Sequence, residues 1–182
     1  DRGAAVDATN RYGVTPLSIA SANGNAAIVR SLLDAGVGPN TTLPGGETVL
    51  MTAARTGRPA VVRALLAAGA DAHRTEARRG QTALMWAAAE GHVDVVEVLL
   101  EIGADFRTPL DSGFTPLLFA VREGHLEVTR TFLRAGADVN VVVEAVASRA
   151  RPLPGGRPIR VGTTPLLLAV TNGHFELAAE LL

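Results

Sequence analysis

The sequence contains no cysteine, no lysine, one tryptophan and one tyrosine, and aromatic residues make up only 4% of it. Without cysteine there can be no disulfide, no thiolate metal site and no cysteine nucleophile. Charge of one sign is also missing. The formal net charge is -1, so nothing draws the chain in general to nucleic acid or to anionic membranes. No apolar run approaches the roughly 18 to 20 residues that span a bilayer. The opening stretch DRGAAVDATN lacks the apolar core of a signal peptide. All 17 basic residues are arginine; with the abundant alanine and glycine, this fits codon bias from a GC-rich genome better than any physical requirement. What is present is apolar: 47% hydrophobic against 19% charged, enough for one packed core and too apolar for disorder.

That apolar content is periodic. Aligned on threonine, the chain reads GVTPLSIA from Gly13, GETVLMTAA from Gly46, GQTALMWAA from Gly80, GFTPLLFA from Gly113 and GTTPLLLA from Gly162. The threonines at 15, 48, 82, 115 and 164 are separated by 33, 34, 33 and 49 residues, the last being 33 plus an insertion of 16. A second block follows each first one: AIVRSLLDAG, AVVRALLAAG, DVVEVLLEIG, EVTRTFLRAG and the shorter ELAAELL.

Threonine before proline at Thr15, Thr115 and Thr164 supplies an N-cap oxygen and then a residue with no N–H to leave unpaired, so a short helix is predicted to start there. In the second block Val95, Val96, Leu99 and Leu100 have the spacing of a buried helical stripe. Gly36, Gly69, Gly103 and Gly136 then stand where a left-handed residue ends a helix. Sequences such as Asp111-Ser112-Gly113 form turns between units. A unit of helix, turn, helix and finger is too thin to close its own core and must stack on a neighbour.

Three histidines, His92, His125 and His174, each precede an acid by two residues. They are one repeat position seen three times, at the start of the second helix. Stacked units lie roughly 8 to 10 Å apart, whereas zinc needs imidazole nitrogens at about 2.0 to 2.1 Å, so successive histidines cannot share an ion. The acids suit the positive end of the helix dipole. His73 stands alone at a finger, and no catalytic triad order, P-loop or dinucleotide fingerprint is present.

The five registered copies resemble the ankyrin repeat over nearly the whole chain. Of the family motif T-P-L-H-x-A, Thr and Leu occur in all five copies and Pro in three, while Ser18, Met51, Met85, Leu118 and Leu167 occupy the histidine place. The resemblance implies an all-α solenoid of helix-turn-helix units with β-turn or hairpin fingers. The expected divisions are a tail of a preceding repeat at 1–9, repeats at 10–42, 43–76, 77–109 and 110–140, an inserted long finger at 141–161, and an incomplete fifth repeat at 162–182. Neither end carries a polar outer face, which leads us to expect a segment of a longer array. The sequence also looks like ankyrin arrays of GC-rich environmental bacteria.

In ankyrin proteins the first helices and finger tips line a concave binding surface. On that face fall Ile19, Ala22 and Asn23; Thr52, Arg55 and Thr56; Trp86, Ala89 and Glu90; Phe119, Arg122 and Glu123; Leu168, Thr171 and Asn172. Trp86 and Phe119, flanked by Arg55 and Arg122 with Arg78 and Arg79 at the finger above, have the composition of a binding hot spot. The alternative is that both rings pack sideways into the core. Glu90, Tyr12 and Phe114 complete the face and the fingers. Residues 141–161 hold Arg149, Arg151, Arg157 and Arg160 against Glu144, four minus one or +3 in total, leaving -4 elsewhere. Val141 to Val143 and Ile159 to Val161 around Pro154-Gly155-Gly156 read as a hairpin. This segment is either a solvated loop or a basic arm for an acidic partner.

The resemblance thus implies a module that binds a protein partner, acidic if the arginines of 141–161 act as a basic arm, with no catalysis of its own, and neither cofactor nor metal is expected. No nucleic-acid or membrane partner is expected, and the segment should be monomeric. Alternatively, the array is the recognition or regulatory domain of a larger enzyme or toxin whose catalytic part lies outside these residues.

Overall fold

The computed structural model describes residues 5–143 and 162–182. They form five helix pairs: α1 (Pro16–Ala22) with α2 (Ala26–Asp34), α3 (Val49–Arg55) with α4 (Pro59–Ala67), α5 (Ala83–Glu90) with α6 (Val93–Glu101), α7 (Pro116–Glu123) with α8 (Leu126–Arg134), and α9 (Pro165–Thr171) with α10 (Phe175–Glu180). The odd-numbered helices stack in one row and the even-numbered ones in a second row behind it.

Each first helix starts on a threonine whose Oγ1 accepts the N–H three residues on: Thr15, Thr48, Thr82, Thr115 and Thr164. The residue in the family's histidine place therefore supplies the capped N–H. Ser18 also returns a bond, its Oγ accepting the Thr15 N–H at 3.0 Å to close a capping box. The expected glycines follow α2, α4, α6 and α8 with φ of +93°, +88°, +80° and +85°. These helices have only six to nine residues, below the roughly 12 to 15 needed for marginal stability alone. Their persistence therefore rests on stacking.

The core runs the length of the stack. The motif leucines Leu17, Leu50, Leu84 and Leu117 are buried, as are Val29, Val62, Val96 and Thr129 at one position of the second helices. The stripe expected on α6 is displaced: Val98 is buried with Val95, Val96 and Leu99, whereas Leu100 is half-buried. With α4 on one flank, α8 on the other and α5 beneath, coverage of α6 is wider than one stripe and shifted by a residue.

The fingers are turns closed by backbone bonds from Asn10 to Val14, Leu43 to Glu47, Glu76 to Gln81 and Leu110 to Phe114, each N–H to C=O, with one antiparallel bridge pairing Thr42 and Thr48. Neighbouring fingers also touch, the Ala77 N–H donating to the Gly45 carbonyl at 3.1 Å. Of the hairpin expected over 141–161, residues 144–161, with Arg149 and Arg151, lie outside the described residues. The residues on either side of it are joined: the Val143 N–H donates to the Thr163 carbonyl at 2.9 Å and the Gly162 N–H to the Val143 carbonyl at 3.0 Å.

Candidate functional site

The repeated histidines are tied into the stack. The Nε2 of His92, His125 and His174 lies 2.9 Å from the carbonyl oxygens of Arg55, Ala89 and Arg122 respectively. With a carbonyl as acceptor, each Nε2 must carry the proton. The acceptors lie in the last turn of the first helix of the preceding unit, where carbonyls have no partner within the helix. One unit earlier Arg58 takes the same role, its Nε donating to the Ala22 carbonyl at 3.3 Å. This ring nitrogen is therefore engaged between units. Among the described residues no group of three or more His, Cys, Asp or Glu side chains is placed to hold a metal.

The finger row and the first-helix row enclose a groove of about 580 Å³. It gathers Arg55, Arg78, Arg79, Trp86, Glu90, Phe119 and Arg122 from four different elements. Arg55 leaves the end of α3 and lays its guanidinium 5.2 Å from the ring centre of half-buried Trp86 on α5. Arg122, near the end of α7, stands 5.0 Å from the Phe119 ring and 5.4 Å from the Phe114 ring. Guanidinium over an aromatic face is a favourable cation–π pairing that also fixes the long side chain. Each arginine has a carboxylate beside it: Arg55 Nη2 is 3.5 Å from Glu47 Oε1, and Arg122 Nε donates to Glu123 Oε1 at 2.7 Å. The indole Nε1–H of Trp86 is buried without an acceptor among the described residues.

Two of the expected contact aromatics are corrected. Phe119 is 4% exposed and Phe114 1%, their rings meeting edge to face at 5.2 Å. Finger residue Phe114 folds beneath α7 rather than outward, and its ring covers Phe119, so both belong to the core and serve as the floor under Arg122. Thr52 and Leu168 on the same helical face are buried too; Thr52 donates its hydroxyl to Glu47 Oε1 at 2.8 Å. Tyr12 is 63% exposed at the first finger, with the Arg11 guanidinium 4.7 Å from its ring, and does not line the groove.

Glu76 stands out only in the folded chain. This residue is buried, and its carboxylate accepts the backbone N–H groups of Arg78 at 2.6 Å, Arg79 at 2.7 Å and Gln81 at 3.2 Å. Three such bonds satisfy a buried charge that would otherwise be costly, and they fix the turn that carries the exposed Arg78 and Arg79 side chains. The signal for it was the 34-residue interval between Thr48 and Thr82. From threonine to helix-ending glycine the units keep one length (15 to 36, 48 to 69, 82 to 103, 115 to 136), so the extra residue belongs to this finger.

A second, wider cleft of about 1150 Å³ opens between this finger and the next, floored by Met85, Leu110 and Phe114. On its rim Asp105 is held below the usual carboxylate range, first by the Thr108 hydroxyl and then by the Arg107 N–H, with partial burial opposing and His73 adding a small favourable charge effect.

Stacked helix pairs, inter-unit bonds from the second helix to the first, and turn fingers on one side define an α-solenoid of short repeats. A family model for ankyrin repeats, three copies per match, fits residues 2–76 and again 68–143, and the chain belongs to the ankyrin repeat family. Proteins of this family are generally protein–protein interaction modules and typically lack catalysis. No helix among the described residues is long and apolar enough to cross a membrane. No curated protein matches the chain significantly.

Proposed function

We propose that this chain is a protein-binding module whose main contact surface is the groove between the fingers and the first helices, centred on Arg55, Trp86 and Arg122. One observation carries the reading: two guanidiniums lie over aromatic rings in a single groove, 5.2 and 5.0 Å from the ring centres, with two further arginines on its rim. Arginine and tryptophan anchors ordered before contact lose little conformational entropy on binding. Glu90, on the same groove and exposed, gives the rim a counter-charge.

The test compares binding with folding for Trp86→Ala. Captured partner per folded molecule, measured by pull-down, should fall about tenfold or more, as expected for a hot-spot truncation. The denaturation midpoint should move less than for a fully buried tryptophan, whose truncation costs about 3 to 5 kcal/mol. A loss of that size with capture per folded molecule unchanged would place Trp86 in the core and move the binding surface elsewhere.

A further inference from the structure

We infer that the groove takes an extended acidic peptide, setting carboxylates of the partner against the guanidiniums of Arg55 and Arg122; this rests on the groove being the binding surface. A guanidinium has five N–H donors. A guanidinium lying over a ring keeps N–H donors at its edge, so a planar fork remains for a planar carboxylate. Arg55 spends one nitrogen on Glu47 and Arg122 one on Glu123, and their side chains remain 44% and 26% exposed. Each therefore keeps unused edge donors facing the groove.

The balance of charge narrows the occupant. Arg55, Arg78, Arg79 and Arg122 share the groove with Glu47, Glu76, Glu90 and Glu123. The Glu76 carboxylate is taken up by three backbone N–H groups, and Glu47 and Glu123 sit beside their own arginines. Formal charge in the groove balances, four arginines against four glutamates, but Arg78 and Arg79 have no side-chain partner among the described residues, so two unpaired guanidiniums stand against one unpaired carboxylate, Glu90. A polyanion such as nucleic acid would set dense phosphate against these glutamates, which repel it. Isolated carboxylates on a peptide fit between them. Half-buried Trp86 offers an apolar surface beside the forks for a neighbouring side chain.

Trp86 is the sole tryptophan, so its emission reports groove occupancy directly. The experiment titrates the intact chain with a synthetic peptide carrying single glutamates among serine and leucine, and with matched peptides carrying glutamine or lysine in their place. The expected result is a saturable emission change with the glutamate peptide, weakened as salt rises. Affinity should fall about tenfold in Arg55→Gln and again in Arg122→Gln, each removing one charge-assisted contact. Circular dichroism and the melting midpoint of each variant verify that the array is folded, and the indole N–H resonance gives a second readout that does not depend on quenching. Equal response to the glutamine peptide, preference for the lysine peptide, unchanged affinity in both arginine variants, or tighter binding of single-stranded DNA overturns the assignment. So does silence with all three peptides. In every one of these cases the Trp86→Ala capture comparison still decides separately whether the groove is the binding surface.

Discussion

His125 and Gly91 belong to successive units and fit each other. A Cβ on Gly91 would stand 2.6 Å from His125 Nδ1, and Gly91 has φ +79°. Gly57 against His92 and Gly124 against His174 repeat the arrangement. The glycine is thus needed both for a left-handed backbone and for room beneath an imidazole that reaches the Ala89 carbonyl. Gly91→Ala should cost about 2 to 3 kcal/mol: roughly 1 to 2 from the left-handed backbone and about 1 from the displaced hydrogen bond. His125→Ala alone should cost about 1 to 2 kcal/mol, since it strands a helix-end carbonyl. In the double variant only the backbone part of the glycine effect should remain, so chemical denaturation of all four proteins should give a coupling of about 1 kcal/mol. Strict additivity would mean that ring and glycine do not act on each other.

The elements that differ most between units are the fingers, and they show why part of the site was legible in sequence and part was not. Threonine caps and helix-ending glycines act within three or four residues, so residue type alone located them. The exposure of a first-helix side chain is instead decided by the finger that lies over it. At one helical position Ile19 is 52% exposed, Thr52 is buried under Glu47, and Phe119 is buried against Phe114. No local pattern distinguishes them. The fingers share a second device. Asp71, Asp105 and Asp138 each accept the N–H two residues on, of His73, Arg107 and Asn140, at 2.8 to 2.9 Å. At Asp105 the Thr108 hydroxyl first, and then the Arg107 N–H, favour the carboxylate and depress its pKa. A group depressed in the folded state stabilises above its unfolded pKa, and that contribution is lost as pH falls through the folded value. Asp105→Asn should therefore lower the melting midpoint near neutral pH and leave it little changed in acid, below the ordinary carboxylate range. Midpoints measured from neutral to strongly acidic pH test this; a constant gap between variant and parent would mean that the charge of Asp105 plays no part.

At the scale of the whole molecule the main helix contacts among the described residues join each unit to its neighbours, so stability is a sum of units and interfaces. The last described pair shows what one face of a unit looks like uncovered. Leu167 and Val170 on α9 are 53% and 48% exposed, while the same positions in every earlier unit, such as Leu118 and Val121 on α7, are buried. The link between α8 and α9 is where the chain departs from its own period, yet its two ends are bonded to each other through Val143, Gly162 and Thr163. Stacking of α7 on α9 and of α8 on α10 is made by residues on either side of that junction. Replacing 144–161 by a short glycine turn should therefore keep the helical circular-dichroism signal and cooperative unfolding, with closure entropy changing by only about 1 kcal/mol. The excised residues carry four arginines and one glutamate. If they act as a basic arm, association with the glutamate peptide should slow on excision, and the difference from the parent should shrink as salt rises, because steering by charge is screened. Loss of cooperative unfolding would make the segment a strap that holds the last pair. Unchanged stability with unchanged association at low salt would make it a passive connection, and recognition would then lie wholly with the arginines of the groove.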